Sequence, residues 1–152
     1  MKLRKYQNEA TVTDIRANSI KMICNGFGLI GELEELEREV QRFHGEDIIK
    51  ELGDVLWYCA SICTYLSLDL QDIYESNFET ELSMPLAEIF KKVYRDKKGV
   101  FDETDKKYIK AYIRDAICGI SEDDMDNITN MNIAKLNSRQ QRGVIGGNGS
   151  NR

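Results

Sequence analysis

Proline is nearly absent from this sequence: one residue, Pro85, in 152. With so few interruptions available, and with Leu, Ile, Glu, Lys and Asp dominant, the chain is expected to be mostly helical. There is no basic excess either. Lys and Arg number 21 against 26 Asp and Glu, a formal net charge of −5, which argues against nucleic acid as a partner. An acidic protein still handles anionic substrates where cations mediate. No apolar run reaches the length of a membrane span, so no membrane association is expected. The opening Met1-Lys2-Leu3-Arg4-Lys5 has no apolar stretch behind it, so no signal peptide is expected and a cytoplasmic location is. The four cysteines, Cys24, Cys59, Cys63 and Cys118, include no Cys-x-x-Cys and no zinc spacing, and are read as buried reduced thiols inside helical patterns.

What is present is helical periodicity. Hydrophobic residues make up 41% of the chain, enough for one compact domain over residues 1–142. A first helix is expected over 5–25, with Val12, Ile15, Ile20 and Ile23 as its apolar positions, punctuated by Gly26-Phe27-Gly28. A second, over 29–43, carries Leu29, Leu33, Leu36, Val40 and Phe43 in alternating steps of four and three. His44-Gly45 ends it. A third, over 47–66, repeats the stepping with Ile48, Leu52, Val55, Cys59, Ile62 and Leu66. Two such seams on a short connector form, most simply, an antiparallel helical hairpin.

Beyond it, helices are expected over 69–77, from a Ser83 cap with Pro85 in the first turn to about 95, from Asp102 or Thr104 to 118, and from Ser121 to 139. Residues 143–152 read as a flexible tail. Asp69-Leu70-Gln71-Asp72-Ile73 with Asn77 echoes Asp124-Met125-Asp126-Asn127-Ile128 with Asn132. Either two amphipathic helix starts are alike by chance, or residues 78–122 are a helical insertion that splits one helix into two copies of its beginning.

The chemistry-bearing residues flank the two seams. At about 100° per residue, with Leu29 at zero, Glu32, Glu35 and Glu39 fall at roughly 240–300°, beside a seam lying within about ±40°. With Ile48 at zero, Glu51, Asp54 and Tyr58 fall in the corresponding sector of the third helix. If the seams pack antiparallel, two acidic pairs face one another across the groove. Such carboxylates repel and resist burial, and a hard divalent cation removes both penalties; oxygen-only ligands point to Mg²⁺, with Mn²⁺ as a substitute. The competing reading is a solvated acidic helix face, which is accepted for Glu34 and Glu37. A di-iron centre is disfavoured, since it wants Glu-x-x-His pairs and the lone histidine, His44, belongs to neither pair. That histidine reads as a helix C-cap rather than a ligand.

These residues form a recognisable pattern. Gly28-Leu29-Ile30-Gly31-Glu32-Leu33-Glu34-Glu35-Leu36, followed by Lys50-Glu51-Leu52-Gly53-Asp54-Val55-Leu56-Trp57-Tyr58, strongly resembles the MazG-like all-α nucleotide pyrophosphohydrolases, whose motif is E-x-x-E, a spacer, then E-x-x-D. Asn132-Ile133-Ala134-Lys135-Leu136-Asn137-Ser138-Arg139 resembles the closing N-x-x-K-L-x-x-R element, and Tyr6-Gln7 fits the opening helix.

The resemblance implies an enzyme splitting a nucleoside triphosphate into monophosphate and pyrophosphate. It implies Mg²⁺ held by Glu32, Glu35, Glu51 and Asp54, and a homodimer or dimer of dimers. The cation would polarise phosphate and acidify a water that attacks the α-phosphorus, with one carboxylate, Glu35 for instance, taking its proton. Lys135 and Arg139, one turn apart, are candidates to clamp the triphosphate, with Asn132 on the same face. Lys50 either reaches phosphate or pairs with an acid. Tyr58 is a candidate to stack on base or sugar, and Trp57 is read as a packing or oligomer contact. The fold expected is an antiparallel all-α bundle plus the inserted helices.

Two features depart from the family pattern. Gln140-Gln141-Arg142 stands where a tyrosine usually follows the closing arginine. The insertion separates the hairpin from Asn132, Lys135 and Arg139, which leaves open whether Asn77 or Asn132 serves the site, and whether the insertion covers the nucleotide or extends a dimer interface. The alternative function is a non-catalytic helical interaction module that keeps the fold.

Overall fold

The structure, a computed structural model, describes residues 1–77 and 81–143. The described residues form seven α-helices and no strand: α1 (Leu3–Thr11), α2 (Asn18–Arg42), α3 (Gly45–Tyr65), α4 (Leu70–Glu75), α5 (Leu86–Asp96), α6 (Glu103–Ile117) and α7 (Glu122–Gln141). The expected all-α class is what is found. No helix among the described residues is long and apolar enough to cross a membrane. From residue 144 onward, the tail expected over 143–152 lies outside the described residues, as do residues 78–80 at the start of the expected insertion.

The α2–α3 hairpin forms where the two apolar seams placed it. Phe43 makes the turn: its left-handed φ of 59° stops α2, and His44 then occupies the N-cap position of α3. Helix α3 is the axle of the fold, packing against α1, α2, α4 and α7. Its face Val55, Leu56, Cys59, Ala60, Ile62 and Cys63 is fully buried, so two of the four cysteines are core residues as expected, whereas Cys24 is half-buried and Cys118, at the end of α6, is exposed. Burial of the Cys59 thiol pushes its pKa up to about 12, so it is held as an unreactive thiol. The seam of α2 is buried only at Leu29. Leu33 and Leu36 are half-buried, and Val40 and Phe43 lie exposed at the hairpin tip.

Three local expectations are corrected. The helix expected over 5–25 is broken, because α1 stops at Thr11 and α2 starts at Asn18. The hydroxyls of Thr11 and Thr13 turn back onto the carbonyls of Gln7 and Ala10, offering the chain an alternative to helix. Asp14 then binds Arg16 through both its backbone N–H and its guanidinium. Val12 and Ile15, expected on the apolar face, point outward.

Gly26-Phe27-Gly28 does not punctuate; it lies inside α2. A Cβ on Gly26 would strike the Phe90 ring, and one on Gly28 would strike the Tyr58 ring. The two glycines are spaces for crossing side chains rather than breaks. At the start of α5, Pro85 itself occupies the N-cap position, with no side-chain cap, in place of Ser83. The remaining caps follow the sequence. Asp69 caps α4, Asp102 and Asp105 form a capping box on α6, and Ser121 caps α7, each such cap worth roughly 1 kcal/mol.

Helix α7 returns to the hairpin and packs along α1 and α3, while α5 lies on α2 and α6 on α4 and α5. The Tyr74 hydroxyl donates to the Ile120 carbonyl at 2.6 Å, and Arg114 donates to the Tyr74 carbonyl at 3.0 Å. The chain therefore leaves after α4 and comes back into α7 at nearly the same place. This brings Asn132, not the exposed Asn77, against the hairpin.

Candidate functional site

Three of the four singled-out acids converge. Carboxylate oxygens of Glu32 and Glu35 on α2 and Glu51 on α3 all lie within 4.8 Å of one another. This placement follows from the i,i+3 spacing on α2 and from the antiparallel register of the hairpin. Glu32 and Glu51 are hydrogen-bonded to each other. Burial, then the charges of Asp54, Glu35 and Glu51, push the Glu32 carboxyl up to about 8. Burial, then Asp54 and Glu35, raise that of Glu51. Glu51 Oε2 is buried with no hydrogen-bond partner among the described residues.

Asp54 stands beside this trio and is held from α7. The Lys135 ammonium donates to both of its oxygens, at 2.7 Å to Oδ1 and 2.6 Å to Oδ2. Asn132 Nδ2 approaches Asp54 Oδ1 at a long 3.4 Å, and Asn132 Oδ1 accepts a hydrogen bond from the Tyr6 hydroxyl at 2.7 Å. Asn132 and Lys135 thus reach the hairpin despite the intervening segment. Arg139 lies one turn further along α7, half-buried, and its Nε finds no acceptor among the described residues.

The donor set suits a hard divalent cation: oxygen ligands only, one buried carboxylate oxygen without a partner among the described residues, and a carboxyl driven toward neutrality by burial and by its acidic neighbours. The comparison with known families bears on the same stretch of chain. Residues 25–80 match the model of the MazG nucleotide pyrophosphohydrolase domain. The chain is MazG-like over this segment. No curated protein and no solved structure matches the chain.

The MazG-like segment contains all four acids, Lys50 and Tyr58, but not the α7 residues. Those join it through tertiary packing. Gly53 makes this possible: a Cβ there would lie 3.1 Å from Asn132 Nδ2 and 3.3 Å from Asn132 Cβ, so α7 seats against the glycine. Tyr58 is half-buried over Gly28, its hydroxyl pKa raised by burial and by Glu32. Lys50 does not turn toward the acids; its ammonium is exposed and donates to Asp47 at 3.1 Å.

At the hairpin tip, His44 Nδ1 lies 3.4 Å from Glu39 and 3.8 Å from Asp47, a second acidic group that Arg42 and Lys50 border. Glu39, which shares a helical sector with Glu32 and Glu35, belongs to this group rather than to the trio.

Trp57 is engaged within the chain. Its Nε1 donates to the Ala10 carbonyl at 3.2 Å and to Thr13 Oγ1 at 3.0 Å. Arg16 lies over its ring at 5.6 Å, and Tyr58 meets it edge-on at 5.0 Å. Sequence reasoning missed Arg16, Asp14 and Asn25, which form a hydrogen-bonded group beside this aromatic pair. It also gave no role to Tyr6 or Gly53. The signal for Tyr6 is its place on the helix that α7 packs against, and that contact is not readable from spacing.

Proposed function

We propose that the chain is a Mg²⁺-dependent nucleoside triphosphate pyrophosphohydrolase, converting a ribo- or deoxynucleoside triphosphate and water to the monophosphate and pyrophosphate. The observation that carries this reading is the convergence of Glu32, Glu35 and Glu51, with Asp54 beside them, inside a segment that matches a nucleotide pyrophosphohydrolase domain. Glu32, Glu35, Glu51 and Asp54 would hold the cation, Mn²⁺ substituting for Mg²⁺. Such a cation neutralises charge on the phosphate oxygens and makes water more acidic.

The chain's own residues supply the rest. Two helices bring Glu32, Glu35 and Glu51 together with Asp54 beside them, a set that would hold the cation next to the reacting water and the α-phosphate. To Glu35, the exposed member of the trio, we assign the uptake of the proton of the attacking water. Lys135 and Arg139, one turn apart, present positive charge to the departing pyrophosphate. Tyr58, beside Trp57 and facing Glu32, offers an aromatic edge to sugar or base. Lys50, which pairs with Asp47, would reach phosphate only by leaving that partner.

Residues 1–142 are read as one domain, with 78–122 an insertion. The stitching of Tyr74 to Ile120 and Arg114 supports this, because it closes the two ends of the segment on each other. Helix α5 meets α2 at Gly26, about 120° around that helix from Glu32. Its contact therefore buttresses α2 on a face away from the acids. A homodimer or dimer of dimers is supported by the apolar residues α2 leaves exposed, Ile20, Phe27 and Val40, with Phe43 at its end. Sedimentation giving a monomer overturns that part.

The test of the activity is incubation with Mg²⁺ and each ribo- and deoxynucleoside triphosphate, followed by product analysis. Pyrophosphate and the monophosphate are expected. Release of inorganic phosphate, or activity unchanged by Glu51→Gln, overturns the reading. If Mn²⁺ produces no binding heat, with or without nucleotide, the non-catalytic alternative stands instead.

A further inference from the structure

We propose that Lys135 is a displaceable counterion: it occupies the Asp54 carboxylate while the acidic cluster holds no cation, and yields it when a divalent cation enters, so that its ammonium is released to a phosphate oxygen of the nucleotide. This rests on the metal-site reading above and adds to it an order of events.

Glu32, Glu35, Glu51 and Asp54 are four acids on two facing helices, and the cation bound among them is the Lys135 ammonium. It takes both oxygens of Asp54, at 2.7 and 2.6 Å, while Glu51 Oε2 is left buried with no partner. The structure thus satisfies one acid fully and leaves the trio to share a hydrogen bond between Glu32 and Glu51. A divalent cation drawn to the trio gains a further carboxylate by taking Asp54, and it repels the ammonium that holds it.

The residue type fits exchange. A lysine ammonium is a point charge on a flexible four-carbon stem, whereas an arginine fork would grip the carboxylate in a fixed bidentate geometry. The pair is partly open to solvent, with side-chain exposures of 28% for Lys135 and 27% for Asp54, so the ammonium has somewhere to go. One turn along α7 stands Arg139, whose Nε lacks an acceptor among the described residues, a second cation on the same side. An anionic ligand arriving there would meet two positive groups, one of them newly released. Asp54 is meanwhile kept in place by Asn132, which Tyr6 holds from α1.

The experiment uses the full chain and the metal alone, without nucleotide. Lysine ammonium resonances are followed by NMR during a Mg²⁺ titration, with the Lys135 signal assigned by its loss in Lys135→Arg. A shift and broadening of that signal as Mg²⁺ binds is expected; a signal unmoved by Mg²⁺ whose binding calorimetry detects overturns the exchange. In parallel, calorimetry with Mn²⁺ compares wild type with Lys135→Met. Removal of the competitor is expected to tighten Mn²⁺ binding on the order of tenfold, within the usual range of coupling between linked ligands. Equal or weaker binding overturns the proposal while leaving the metal site intact. Absence of Mn²⁺ binding in both proteins overturns the metal-site reading as well, which separates the two failures. With Mg²⁺ present, Lys135→Met is expected to bind a non-hydrolysable α,β-imido triphosphate on the order of tenfold more weakly, and undiminished binding overturns the second half of the exchange. If Lys135→Met does not fold, the wild-type NMR titration decides by itself.

Discussion

The Tyr6 hydroxyl donates a 2.7 Å hydrogen bond to Asn132 Oδ1, joining the first helix to the last at a point where both side chains are buried. The amide's other end approaches Asp54, so a residue of α1 and one of α7 together bear on an acid of α3. Burial, then the charge of Asp54, holds the Tyr6 hydroxyl well above its ordinary pKa, which favours its neutral, donating form.

Tyr6→Phe removes this donor and leaves the buried amide oxygen of Asn132 without a partner. A loss of about 1–3 kcal/mol in stability is expected, with the ring volume conserved. Urea denaturation measures it. Hydrolytic activity should fall too, because Asn132 is then free to turn away from Asp54. A variant as stable and as active as wild type would mean that Asn132 is oriented by packing against Gly53 alone.

Glu32→Gln should act in opposite directions on stability and on function. Without metal, glutamine is neutral as the raised Glu32 carboxyl is in the folded chain, but needs no proton uptake on folding, so the melting temperature at neutral pH should rise. With Mg²⁺ it removes a ligand, so the stabilisation that Mg²⁺ gives the wild type should be largely lost and turnover should drop on the order of a hundredfold or more. Differential scanning calorimetry with and without Mg²⁺ reads both effects. A solvated acidic face would show neither.

The same charges set a pH dependence. The Glu32 carboxyl is raised in the folded chain to about 8 from an ordinary value of 4.5, so the folded state holds a proton that the unfolded state has lost between these limits. Its stabilising contribution is complete below about 4.5 and disappears as pH rises through about 8. Glu51 moves in the same direction. The groups facing Glu32 are Glu35 from α2, Glu51, Asp54 and Tyr58 from α3, and Lys135 from α7 through its grip on Asp54. Metal-free protein should therefore lose stability from pH 5 to pH 8.5, and saturating Mg²⁺ should remove most of that slope. Equilibrium unfolding across this range, in chelator and in Mg²⁺, is the measurement.

Gly28→Ala places a methyl group where the Tyr58 ring lies. Either the ring swings out or the hairpin spreads, at about 1–3 kcal/mol in the second case. Gly31→Ala, one turn on, meets nothing within 4 Å and should be neutral or slightly stabilising, as alanine is the better helix former. Tyr58 also faces Glu32, so the first variant should lose more activity than stability and the second neither. Thermal melts paired with turnover measurements distinguish them.

Much of this molecule was legible in local pattern. The 4-3 stepping of Leu29, Leu33 and Leu36 and of Ile48, Leu52 and Val55 specifies two helices, and the short connector specifies their antiparallel pairing. The phase of Glu32, Glu35 and Glu51 relative to those seams then places the acids together, because side-chain direction on a helix follows from spacing. The caps at Asp69, Asp102 and Ser121 are likewise local, since a side chain and a backbone N–H two or three residues away are enough to make one.

What only the tertiary structure decided depends on groups distant in sequence. Gly26 and Gly28 read as a break until Phe90 and Tyr58 arrive to fill the space they leave. The choice of Asn132 over Asn77, and the capture of Asp54 by Lys135, required α7 to return past an intervening segment and seat against Gly53. Spacing reports which side of a helix a residue occupies; which neighbour meets that side is set by the packing of the whole chain. The sequence by itself therefore determined the fold class and the acidic pairs, and the tertiary structure decided which cation the chain sets against them.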